Sequence, residues 1–77
     1  MESDWRMAAT GTSEGWTYTV EIQERDGRFL ARITPGSQAF QLIDKNFETR
    51  EQALAAARVV AEEAIRSYRK AEGYPPA

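Results

Sequence analysis

Three arginines, Arg25, Arg28 and Arg32, fall close together, and Glu21 lies just before them. Guanidinium groups at that spacing are the chemistry of phosphate contact, provided the local charge stays positive. A second run, Asp44-Lys45-Asn46-Phe47-Glu48, sets three oxygen ligands at alternate positions, as at the start of a calcium loop. Such a loop needs glycine sixth and a bidentate glutamate twelfth, where this chain has Thr49 and Ala55. The run therefore reads as a polar strand-to-helix loop with Phe47 packing under the helix start. There is no histidine and no cysteine. That removes the usual general base, the thiol nucleophile and most zinc ligand sets. Among the other carboxylates, Glu21 and Glu24 do not face each other, Glu21 has Arg32 opposite, and Glu62 and Glu63 lie on an exposed helix face. No catalytic residue, metal or cofactor is expected.

Composition narrows the partners. The 77 residues carry ten basic and twelve acidic side chains, a net charge of −2. A nucleic-acid partner is not expected from that balance, since such proteins normally show a basic excess or a basic face. Disulfides are impossible, and no apolar run reaches membrane-spanning length. Met1-Glu2-Ser3-Asp4-Trp5-Arg6 lacks the basic start and apolar stretch of a signal peptide. A soluble cytoplasmic protein is the default expectation.

The elements that position these residues start from a hairpin. Two alternating runs, Trp16–Glu24 and Arg28–Thr34, flank Asp26-Gly27. Asp-Gly suits a type I′ turn, which needs φ > 0 at both central residues. A two-residue loop pairs Arg25 with Arg28, Ile22 with Ala31 and Val20 with Ile33. It also sets Glu21 opposite Arg32 on the other face. Trp16, Tyr18, Val20, Ile22, Phe29, Ala31 and Ile33 then share the inner face. Thr34-Pro35-Gly36-Ser37 predicts a type II turn. The third strand follows at about 38–43, with Phe40 beside Ala31 and Leu42 beside Phe29, both inward.

Thr49-Arg50-Glu51-Gln52 is a capping box opening a helix over about 50–70. Its apolar stripe is Ala53, Leu54, Ala57, Val60, Ala61, Ala64, Ile65 and Tyr68. Gly73, Pro75 and Pro76 end it. Residues 1–14 are polar and without period, and read as a flexible tail. Within it Trp5 and Met7 are the apolar exceptions, able to dock on the core or to extend an edge strand. Residues 72–77 read as a second tail. The expected architecture is α+β: a single two-layer β-β-β-α domain over 15–71, a three-stranded antiparallel meander with one helix on one face.

One helix leaves the other sheet face open. The residues expected to contact a protein partner or a second copy there are Leu30, Arg32, Ala39, Gln41 and Ile43. Open strand edges offer a further route to association. The alternative is weak nucleic-acid binding through Arg25, Arg28 and Arg32 on the same face. Single-strand binders stack bases on exposed aromatics, whereas the register here turns every strand aromatic inward.

Strand, Asp26-Gly27, strand, turn, strand and then Thr49-Arg50-Glu51-Gln52-Ala53-Leu54 resembles the amino-terminal half of HicB-type antitoxins, over about residues 16–68. The family's Pro-(Asp/Glu)-Leu-Pro-Gly stretch after the second strand is shortened here to Thr34-Pro35-Gly36. The resemblance implies a partial RNase H-like domain in a bacterial protein that binds and blocks a small RNase toxin. The order is also similar to that of a double-stranded RNA-binding domain. That family's phosphate-contacting lysine cluster at the final helix start is replaced here by Thr49-Arg50-Glu51-Gln52.

Overall fold

The computed structural model describes residues 5–71. In chain order they form β1 (Arg6–Ser13), β2 (Trp16–Arg25), β3 (Arg28–Pro35), β4 (Gln41–Phe47) and α1 (Arg50–Ala71). The strands make one antiparallel sheet in the order β1-β2-β3-β4, and α1 covers one face. The α+β two-layer plan is as expected, but the sheet has four strands, not three. Residues 1–4 and 72–77, including Gly73, Pro75 and Pro76, lie outside the described residues.

The central hairpin has the anticipated register. Arg25 pairs with Arg28, Ile22 with Ala31, Val20 with Ile33 and Glu21 with Arg32. Asp26 (φ 54°) and Gly27 (φ 77°) both take the left-handed conformation that a type I′ turn demands. Tyr18, Val20, Ile22, Ala31 and Ile33 are buried beneath α1.

The reading of residues 1–14 as a tail is corrected by β1. Residues 6–13 pair with β2 from Arg6 opposite Ile22 to Ser13 opposite Trp16, with a bulge between Met7 and Ala9. Glu14 (φ 51°) and Gly15 (φ 85°) close this second hairpin with the same backbone signature as Asp26-Gly27. The strand shows no apolar alternation because its inward positions hold small residues. Ala9, Gly11 and Ser13 face Val20, Tyr18 and Trp16, and these large neighbours fill the space. At Gly11 a β-carbon would come within 2.4 Å of the Tyr18 ring.

The third predicted strand exists as β4, but shifted along the chain and turned over. Gln38 N–H donates to the Pro35 carbonyl, at 2.9 Å, so the turn closes one residue later than Thr34-Pro35-Gly36-Ser37 implies. Ala39 and Phe40 then precede the strand. Ile33 pairs with Gln41 and Arg32 with Leu42. A slip of odd length moves every side chain to the opposite face. Phe40 and Leu42 therefore leave the inner face and stand exposed, while Ile43 and Phe47 pack on the core. Between the Arg32–Leu42 and Leu30–Asn46 pairs, β4 carries extra residues and the ladder is irregular.

Helix α1 lays Ala53, Ala57, Ala61 and Ile65 against the sheet, one residue per turn, all fully buried. Three successive alanines leave little side chain between backbone and sheet, so the helix seats closely. Leu54, Val60 and Ala64 flank the seam. At its start Gln52 N–H donates to Thr49 Oγ1 (3.0 Å), as a capping box requires. The Gln52 side chain accepts from the Glu48 N–H (3.2 Å), one residue upstream of the expected Thr49. Arg58 donates to the Tyr18 hydroxyl (3.3 Å), and the Tyr68 ring lies parallel to Trp16 with centroids 6.2 Å apart. Near the other end Arg66 and Arg69 reach Glu14 in the β1–β2 turn, at 3.6 and 2.7 Å.

Candidate functional site

The outer face of the sheet carries one continuous row across all its strands. Met7 of β1 stands opposite Glu21 of β2, Glu21 opposite Arg32 of β3, and Arg32 opposite Leu42 of β4. In order the row reads apolar, acid, base, apolar. At its centre Arg32 Nε donates to Glu21 Oε1 at 2.6 Å, with both side chains mostly shielded from solvent. The Arg32 guanidinium also lies over two rings, 4.6 Å from the Trp5 centroid and 4.5 Å from Phe40. A planar guanidinium favours stacking on aromatic faces while its edge makes directional hydrogen bonds. Arg32 is therefore fixed by a carboxylate and by two aromatic neighbours.

Around this centre the face is apolar. Met7, Phe40 and Leu42 are 66%, 53% and 62% exposed. Leu30 is half-buried, and Gln23 beside it in the ladder is only 6% exposed although it faces away from the helix. A cleft of about 800 Å³ opens among Trp5, Gln23, Leu30, Arg32, Phe40 and Leu42.

The residues anticipated for partner contact divide. Leu30 and Arg32 are on this face, and Ala39 is exposed just before β4. Gln41 and Ile43 do not point out from the open face as expected. The parity of β4 turns Gln41 inward, where its Nε2 donates to the Tyr68 hydroxyl (3.4 Å), and Ile43 packs against the core while also bordering the cleft. In their place stand Trp5, Met7, Phe40 and Leu42. The period-two spacing of Trp5 and Met7 was the available signal for an edge strand. Phe40 also corrects the expectation that Trp16, Tyr18, Phe29 and Phe40 all face inward.

The arginines do not form a shared anion site. Arg28 Nε donates to Asn46 Oδ1 (2.9 Å) and lies 3.9 Å from Glu48, while Arg32 is held by Glu21. Arg25 is exposed at the hairpin end. The Asp44–Glu48 run is largely strand rather than loop, with Asn46 bonded to Arg28 and Phe47 packed on the core. Among the described residues no cluster of carboxylates is placed to hold a metal ion. No helix among them is long and apolar enough to cross a membrane. No family model, curated protein or solved structure matches the chain.

Proposed function

We propose that this chain is a non-enzymatic protein-interaction module that binds through the outer face of its sheet. One observation carries the reading: Phe40 and Leu42 are exposed together beside an arginine that is already fixed in place, and Met7 is exposed at the far end of the same row. Binding energy concentrates where aromatic and arginine side chains sit ordered among apolar neighbours. Immobilising Arg32 beforehand reduces the side-chain entropy lost on association. The resemblance to HicB-type antitoxins points to the same functional class, with a small RNase toxin as the partner that it implies and a bacterial cytoplasm as the setting. Nucleic-acid binding through Arg25, Arg28 and Arg32 is the weaker reading. Glu21 neutralises Arg32, and the guanidinium occupies a face of both rings on which a base would stack.

The test is affinity capture on the immobilised chain, with and without nuclease, using Leu42→Asp as the control. The expected result is a stoichiometric protein that survives nuclease and is lost with Leu42→Asp. Recovery of RNA, with any protein released by nuclease, would replace this reading with the nucleic-acid one.

A further inference from the structure

We propose that the occupant of the outer face is a second copy of this chain. The two sheets stack face to face about a two-fold axis that runs parallel to the strands between β2 and β3. The inference rests on the reading of that face as a binding surface and names its partner.

The argument is the symmetry of the row Met7–Glu21–Arg32–Leu42. The row is symmetric in hydropathy and antisymmetric in charge about its midpoint, and that midpoint is the centre of the sheet. A closed homodimer presents one patch to itself, so the patch must complement its own rotated image. Rotation about an axis parallel to the strands reverses the row. It sets the second copy's Glu21 over Arg32, its Arg32 over Glu21, and its Leu42 over Met7. A two-fold parallel to the row instead stacks Glu21 on Glu21 and Arg32 on Arg32, which is repulsive. Only the first arrangement pairs opposite charges at the centre and apolar side chains at both ends.

That axis also preserves strand direction. The two sheets then pack aligned, within about 30° of each other and about 10 Å apart, which is a common arrangement of stacked sheets. The face is large enough. Strands of seven to ten residues, at about 3.3 Å per residue and about 4.8 Å between strands, span on the order of 500 Å² in projection. Side-chain relief brings the accessible area towards the roughly 800 Å² per partner of a standard interface. Burial of Met7, Leu42, Phe40 and Leu30 drives the association, and the alternating charges select its orientation.

Sedimentation equilibrium of the whole chain tests this, with circular dichroism to confirm folding of each variant. The wild type is expected at twice the chain mass. Glu21→Arg and Arg32→Glu each place like charges across the axis and should be monomeric, with dimer affinity lowered at least tenfold. Mixed together, they pair Arg with Glu at both central positions and should re-form a dimer, which a merely structural role for these residues does not predict. If either charge variant fails to fold, Leu42→Asp and Met7→Lys, both at exposed positions, should give folded monomers. A wild type that stays monomeric through the high micromolar range overturns the second copy as occupant; protein capture that still depends on Leu42 would then leave the binding face standing. A wild-type dimer indifferent to Leu42→Asp and Met7→Lys would place association elsewhere and overturn both readings.

Discussion

Gly11 stands opposite Tyr18 in the β1–β2 ladder, and the tyrosine ring occupies the space a β-carbon would take, with ring atoms 2.4 Å from that position. Tyr18 is almost wholly buried and its hydroxyl is tied to Arg58, so the ring has little freedom to move aside. Gly11→Ala should therefore cost about 1–3 kcal/mol, as overpacking does. Gly27→Ala meets no neighbour within 4 Å and is opposed only by its φ of +77°, a backbone penalty of about 1–2 kcal/mol. Urea melts of the two variants check the order. A Gly11→Ala protein as stable as the parent would mean that the ring has another seat.

Residues on opposite faces of β2 should respond oppositely to the same charge. Val20 is fully buried, and Val20→Asp places an unpaired carboxylate in the core of a small domain, which should unfold it. Thr17, exposed on the other face, should accept aspartate with a change within about 0.5 kcal/mol. Circular dichroism melts of both variants read the sheet's sidedness directly.

Enlarging the alanine seam should force the two layers apart. Ala57 has no exposed surface and lies between Ala53 and Ala61 on the buried stripe. Ala57→Leu should destabilise by about 1–3 kcal/mol despite adding apolar volume. Ala55, exposed on the same helix, should tolerate leucine. A stabilised Ala57→Leu protein in chemical denaturation would contradict the close seating of α1.

Glu14 links the β1–β2 turn to the last turns of α1 through Arg66 and Arg69. These groups are partly exposed, so each pair contributes only about 0.2–1 kcal/mol. Glu14→Gln should lower stability by that order at low salt, and the difference from wild type should shrink as ionic strength rises. A salt-independent loss would mean that the residue acts through its turn conformation instead.

Helix initiation should depend on one hydroxyl. Thr49→Ala removes the acceptor for the Gln52 N–H and should cost about 1 kcal/mol in thermal or denaturant unfolding. Thr49→Ser, which keeps the oxygen, should recover most of it.

What was legible in the chain follows from how strongly each segment's pattern is dictated. The β2–β3 hairpin was readable residue by residue because Asp26-Gly27 sets the loop length and parity then assigns every side chain. The α1 stripe was readable because one face of a long helix must be apolar to pack. β1 was hidden because Ala9, Gly11 and Ser13 are small where Val20, Tyr18 and Trp16 are large, and Glu14-Gly15 is a less familiar form of the turn that Asp26-Gly27 announces. The face assignment of β4 failed on a slip of three residues: the turn closes from Pro35 to Gln38, Ala39 and Phe40 stay outside the strand, and Arg32 meets Leu42. That odd slip carried Phe40 and Leu42 to the outer face and Gln41 and Ile43 away from it. The Glu21–Arg32 pair was legible, but its aromatic surround depended on the two segments whose pairing was not.

Both free edges of the sheet are irregular: β1 bulges between Met7 and Ala9, and the β3–β4 ladder breaks step between Leu30 and Arg32. An arriving strand would find no even line of donors and acceptors at either margin. Lateral growth, the route by which open sheets run on into fibres, is thereby blunted. The broad face remains, and a surface satisfied by one opposing surface saturates. The irregular margins thus bound how large an assembly of this chain can become, as well as shaping its sheet.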